Sequence, residues 1–265
     1  MTVTTVPWSE LRSSLENAAE RFDTMVAGAD GDRPVGGTDW TVHETAVHVV
    51  TTADRWISTA RGAKLDIVRG PQLGKRMAEI NRREIDTPPS DPDHATGAVA
   101  RWLDTVPDPT ATLHPWGLPD YDCTPAQATG LLLGEVLVHG LDVARTLGVK
   151  WPITAREGIA IFDGILPVLP ILYDGGATNG RTFDIDVRVR GRDRGAGLHC
   201  TPDALVVSDG SPTGAPVHIS ADPVAWLLVG YGRQGQMSAA LTGKIVAWGR
   251  KPWLATKFGQ LVQPV

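Results

Sequence analysis

Apolar residues recur at alternating four- and three-residue steps through Leu11, Leu15, Ala18, Phe22 and Met25. That spacing predicts a helix from about Pro7 to Val26 with one face turned to a core. A second helix is expected from Thr41, whose hydroxyl can cap while Glu44 reaches back to close a capping box, and it should continue to about Ala60. Residues Leu73 to Val106 read as two helical segments, because the cluster Pro88-Pro89-Ser90-Asp91-Pro92 cannot sit in a helix interior. The clearest helix signal runs from Thr124 as cap, through Pro125 at the first position and Gln127 as capping-box partner, to Leu147, with Gly148 as terminator.

The pattern changes past the middle of the chain. An apolar segment from Ala155 to Leu172 is interrupted by Pro167 and Pro170 and runs into a turn from Asp174 to Gly180. Beyond it, Phe183 to Val189 and Val217 to Ser220 alternate apolar with polar residues, Ala204 to Val207 is a short apolar run, and Lys244 to Trp248 reads as another strand. These are expected to form an antiparallel sheet. Asp222-Pro223 opens a short helix to Leu228, and Lys251 to Leu261 reads as a last one. The expectation is a two-domain α+β protein: a helical domain over 1–152, a connecting helix and linker over 153–180, and a small α+β domain over 181–265 with an antiparallel-rich sheet.

Composition narrows the class. The 265 residues are 42% hydrophobic and 21% charged, which suits a globular chain with a real core. The formal net charge is −5 with no block of like charge, so bulk electrostatics attract neither nucleic acid nor anionic lipid. No leader pattern and no bilayer-length apolar run is present, which points to the cytoplasm and to no membrane insertion. Cys123 and Cys200 are the only cysteines; they have no metal-site spacing and read as buried thiols.

On the helix that ends at Leu147, Glu135, His139 and Asp142 fall on one face, in an otherwise apolar surround. This polar stripe either points into a bundle interior or is the helix's solvated side. His48 is the natural third ligand, since a Glu and two His make the protein set of a zinc site with one open position. On its own helix His48 lies with Thr45, Thr52 and Arg55, off the apolar stripe, so a surface histidine fits the pattern equally. His43 and His48 are five residues apart and cannot bind one ion from one helix face, which rules out a zincin motif and leaves His43 at the surface. Gly230-Tyr231-Gly232-Arg233-Gln234-Gly235 matches a dinucleotide fingerprint in spacing, but it follows a predicted helix and reads as a loop. Most of the tryptophans in the helical half read as packing residues.

Asp39-Trp40-Thr41-Val42, followed by His48, Trp56, Glu135 and Val138-His139-Gly140-Leu141-Asp142-Val143-Ala144, resembles the mycothiol-dependent maleylpyruvate isomerase family. The resemblance implies a DinB-like four-helix bundle that holds a divalent metal, usually zinc, on His48, Glu135 and His139, with Asp142 orienting His139. It also implies mycothiol as a thiol cofactor, a small electrophilic substrate, and isomerisation or S-transfer as the reaction. The later part, with Ala221-Asp222-Pro223, Leu241-Thr242-Gly243-Lys244 and Trp248-Gly249, is similar to the sterol-carrier-like domain that accompanies such bundles. There Trp226-Leu227-Leu228 and Gly232-Arg233 resemble a family stretch, with three residues between Leu228 and Gly232, and this nominates Arg233 as a catalytic residue facing an interdomain cleft and binding an anionic substrate group. The competing class is a non-enzymatic carrier of lipid or another small molecule.

Overall fold

The computed structural model describes residues 4–88, 94–118 and 121–262. The turn cluster expected at 88–92 lies, from Pro89 onward, outside the described residues. The chain divides into two compact units, one of residues 6–66 and 78–153, the other of residues 1–5, 67–77 and 154–265. The architecture is α+β: helices first, then a five-stranded mixed sheet.

The first unit is a four-helix bundle of α1 (Trp8–Ala27), α2 (Val42–Ala60), α4 (Ala95–Thr105) and α5 (Pro125–Leu147), to which α3 (Leu73–Asp86) adds its later residues. Helices α1 and α2 each pack on both α4 and α5. Leu11, Leu15, Ala18 and Phe22 of the expected stripe are buried. Both expected capping boxes form. Thr41 Oγ1 accepts from the Glu44 amide at 3.2 Å while Glu44 accepts from the Thr41 amide at 2.9 Å, and Thr124 and Gln127 repeat the exchange at 3.2 and 2.9 Å. Helix α4 has no cap of its own. Asp23 of α1 supplies one, accepting from the amides of Ala95 and Thr96 at 2.7 and 2.9 Å and so fixing where α4 meets α1. Fully buried Trp102 donates from its indole to Thr129 on α5 at 2.9 Å, tying α4 to the helix that carries the polar stripe. Gly148 ends α5 in the left-handed region at φ 71°, as its place in the sequence requires.

In the second unit, α6 (Ala155–Ile165) packs on α8 (Pro223–Gly230), so the helix expected to connect the domains folds with the sheet-bearing part. A short α7 (Leu169–Leu172) carries Pro170 in its first turn, where the missing amide costs nothing. The strands are β1 (Phe183–Val189), β2 (Ala196–Cys200), β3 (Leu205–Asp209), β4 (Val217–Ala221) and β5 (Ile245–Trp248), in the order β3-β2-β1-β4-β5. Helix α9 (Gln236–Leu241) precedes β5. Three of the four pairings are antiparallel, so the sheet is antiparallel-rich as expected, and β1 and β4 run parallel. The expected final helix is also corrected: Pro252–Lys257 is a 3-10 stretch, and only one turn, α10 (Phe258–Leu261), is α-helical.

One sheet face carries buried Ile185, Val187, Leu198, Val217 and Ile219. The register places Asp186 between Gly197 and His218 on the other face. The link from β3 to β4, residues 210–216, lies against that polar face. A Cβ at Gly195 would sit 2.6 Å from Ser211 Oγ and 3.0 Å from Asp186 Oδ1, and one at Gly197 would sit 3.0 Å from Pro212 Cδ. Only glycine at these two positions lets the link come this close. A second anchor is the fully buried pair Arg192–Asp163 at 2.7 Å, whose carboxylate also accepts from the Thr5 amide at 2.6 Å. With both partners satisfied the pair holds its geometry, whereas removing either would leave a buried charge uncompensated.

Candidate metal centre

Helix α2 presents His48 and helix α5 presents Glu135 and His139. His48 and His139 are 3% and 7% exposed, and Asp142 is 4% exposed, so neither the solvated-face reading of the α5 stripe nor the surface reading of His48 holds. Thr45 and Thr52, which share the His48 side of α2, are buried as well: this helix is covered on both sides. His43 is exposed, as expected, and its five-residue offset turns it away from His48.

Glu135 Oε2 lies 3.3 Å from His48 Nε2 and 3.5 Å from His139 Nε2. One ligand atom from each residue falls within 4.8 Å of the others. The two imidazoles meet edge-on with centroids 4.8 Å apart, and Trp40, just ahead of the α2 cap, lies 4.5 and 5.5 Å from them as an apolar wall. His139 Nδ1 faces Asp142 Oδ2 at 3.6 Å.

Burial pushes the His48 imidazolium down to about 4, against the raising effect of its bond to Glu135. Burial would raise the Glu135 carboxyl, but hydrogen bonds to His139 and His48 outweigh it and hold the group well below the usual carboxylate range. At neutral pH the centre therefore combines a neutral His48 with an ionised Glu135, the protonation states a metal ligand needs.

The donor set fits a divalent ion. Donors about 2.0 to 2.1 Å from a tetrahedral zinc ion lie about 3.3 to 3.4 Å from one another, and the observed separations from Glu135 are 3.3 and 3.5 Å. Both Nε2 atoms turn to the same Glu135 oxygen, and Nδ1 of each ring is buried without a hydrogen-bond partner.

These residues lie inside a recognisable segment. The family described as "Mycothiol maleylpyruvate isomerase N-terminal domain" matches residues 15–144. The bundle belongs to that family. No curated protein matches this sequence. Among solved structures, that titled "Crystal structure of the mycothiol-dependent maleylpyruvate isomerase" is similar at 12% identity and TM-score 0.47, over 92% of this chain and 95% of that one. The inverting sec-alkylsulfatase Pisa1 from Pseudomonas sp. is similar at 14% identity and TM-score 0.35, over 82% of this chain, which spans about a third (33%) of the sulfatase.

Arg233 belongs to the sheet-bearing unit, in the turn after α8. Its guanidinium donates to the Tyr231 carbonyl at 2.6 Å and its amide to Leu228 at 2.7 Å. The Gly230–Gly235 stretch is a helix end followed by this turn, not a phosphate loop. Both cysteines are buried, and burial pushes each thiol up to about 12. Sequence reasoning missed Trp40 as a wall of the centre; its position next to the Thr41 cap was the available signal, because a residue at the mouth of a helix lies over the first turns of its neighbours.

Proposed function

We propose that this protein is a metal-dependent enzyme that uses a low-molecular-weight thiol, mycothiol, for isomerisation or S-transfer on a small electrophile in the cytoplasm. The observation that carries the reading is the convergence of His48, Glu135 and His139 in a segment of this family. A divalent ion, zinc for this nitrogen and oxygen donor set, would act there as a Lewis acid that makes thiol deprotonation accessible at neutral pH.

The chain's own contributions follow from its geometry. His48 offers a neutral ring and Glu135 a charge that the two imidazoles already stabilise. Asp142, 3.6 Å from His139 Nδ1, favours the tautomer that leaves Nε2 turned toward Glu135. Trp40 limits water on one side of both rings, which strengthens every electrostatic interaction in the centre. We assign Arg233 to binding an anionic substrate group, on the strength of its forked donor geometry and the family stretch it resembles. The domain limits at 152 and 181, and the sterol-carrier-like character of 181–265, belong to the same reading.

The decisive experiment measures metal and thiol together. Purified protein should carry close to one zinc per chain, and Glu135→Ala should lose it with an unchanged circular dichroism spectrum, because the apolar faces carry the bundle's stability. By calorimetry the zinc-loaded protein should bind mycothiol in preference to glutathione. Binding of neither thiol would sink the enzyme reading. Arg233→Lys should weaken carboxylate substrates while metal and thiol binding persist; equal affinities in both forms would remove Arg233 from the site.

A further inference from the structure

The net charge of −5 conceals a steep asymmetry. After Asp222 the sequence contains no Asp or Glu through Val265, while Arg233, Lys244, Arg250, Lys251 and Lys257 give these 43 residues a charge of +5 and leave −10 on the rest. The same short stretch concentrates exposed apolar surface. Of the seven large hydrophobic side chains exposed among the described residues, five lie here: Met237, Leu241, Val246, Trp248 and Trp253.

These five side chains sit on neighbouring elements. Met237 and Leu241 are four residues apart on α9, hence on one face, and are 68% and 84% exposed. Helix α9 packs on β5, the edge strand, where Val246 and Trp248 alternate outward past Ile245 and Ala247. The 3-10 stretch that also packs on β5 carries Trp253, 60% exposed. Lys244 and Lys251 flank β5, and both are exposed. Leaving two tryptophans, a leucine and a methionine in water costs solubility unless something covers them.

We propose that the α9–β5 edge is a docking surface for an anionic lipid membrane. Aliphatic tips beside tryptophans suit the boundary between headgroups and acyl chains, where Trp is favoured, and the lysines that flank β5 complement anionic headgroups. A nucleic acid would use the cations and tryptophans but gives Leu241, Met237 and Val246 nothing to stack on. The binding is interfacial: no helix among the described residues is long and apolar enough to cross a membrane.

Cosedimentation of the full chain with vesicles tests this. Protein should bind vesicles of phosphatidylglycerol and phosphatidylcholine in equal parts, and binding should collapse as salt rises from about 0.05 to about 0.5 M. Lys244→Glu with Lys251→Glu should lower binding more than about twentyfold, from about fivefold per lost cation. Leu241→Ser with Trp253→Ser should lower it about tenfold or more at unchanged charge. All four positions are exposed, so the variants should match the parent in circular dichroism and metal content. The proposal is overturned if the parent ignores anionic vesicles at low salt, binds pure phosphatidylcholine equally well, or keeps its vesicle affinity in both variants. It is equally overturned if the protein prefers an oligonucleotide, or if it sediments as a dimer that the Leu241→Ser, Trp253→Ser variant dissociates, since a second copy then covers the edge.

Discussion

Gly140 is where the candidate centre is most sensitive to a single added carbon. A Cβ there would overlap the six-membered ring of Trp151, whose indole donates to the Leu137 carbonyl at 2.9 Å and carries the Arg21 guanidinium 4.6 Å above it. Gly140→Ala should gain about 1 kcal/mol of helix propensity, yet lose about 1 to 3 kcal/mol to overpacking. Urea denaturation should show net destabilisation, and zinc affinity should fall with it because His139 is the adjacent residue. His48 gives a second test. Its folded pKa, about 4, lies below the ordinary value of 6.5. A neutral form favoured by folding stabilises fully above pH 6.5, and that contribution is lost as pH falls from 6.5 toward about 4. Metal-free protein should lose denaturant stability across that window, and His48→Gln should flatten the loss. The sequence showed which three residues to watch but not their burial, because Thr45, His48 and Thr52 form a polar face on α2 that hydropathy alone assigns to solvent.

At the level of elements, what was legible depended on local chemistry. The Thr41–Glu44 and Thr124–Gln127 boxes are readable because their partners are three residues apart, and they fixed the starts of the two helices that hold the centre. Thr124→Ala should therefore cost about 1 kcal/mol, seen as a lower denaturation midpoint at constant slope. The Asp23 cap of α4 is invisible in sequence, since 72 residues separate acceptor and donor. Strand β2 is not among the expected strands: Gly195 and Gly197 interrupt the apolar–polar alternation there, and the β3–β4 link needs them for clearance. The parallel β1–β4 pairing was missed for a related reason: a strand's own residues do not record the direction of its neighbour.

The whole molecule shows a division of labour that average composition hides. The family segment carries the ligand cluster, and the last 43 residues carry the cationic, apolar edge, so one net charge describes neither. The fold class was legible from the shift between periods of 3.6 and 2. The strand order was not, because it depends on where the link between β3 and β4 runs.

That link also sets an order of assembly. β4 takes its place beside β1 with the chain between them laid across β2, so the β1–β2 hairpin has to exist before residues 210–216 have a surface to lie on. Joining β1 to β4 closes a loop of 32 residues from Asp186 to His218, whereas β1 meets β2 through a short turn. Closure entropy makes the nearer pairing the earlier one. In a refolding experiment with pulsed hydrogen exchange, amides of β1 and β2 should gain protection before those of β4 and β5. Replacing Gly197 by Val should delay the late phase while sparing the early one, because the hairpin forms without the link but the link cannot settle over a larger side chain.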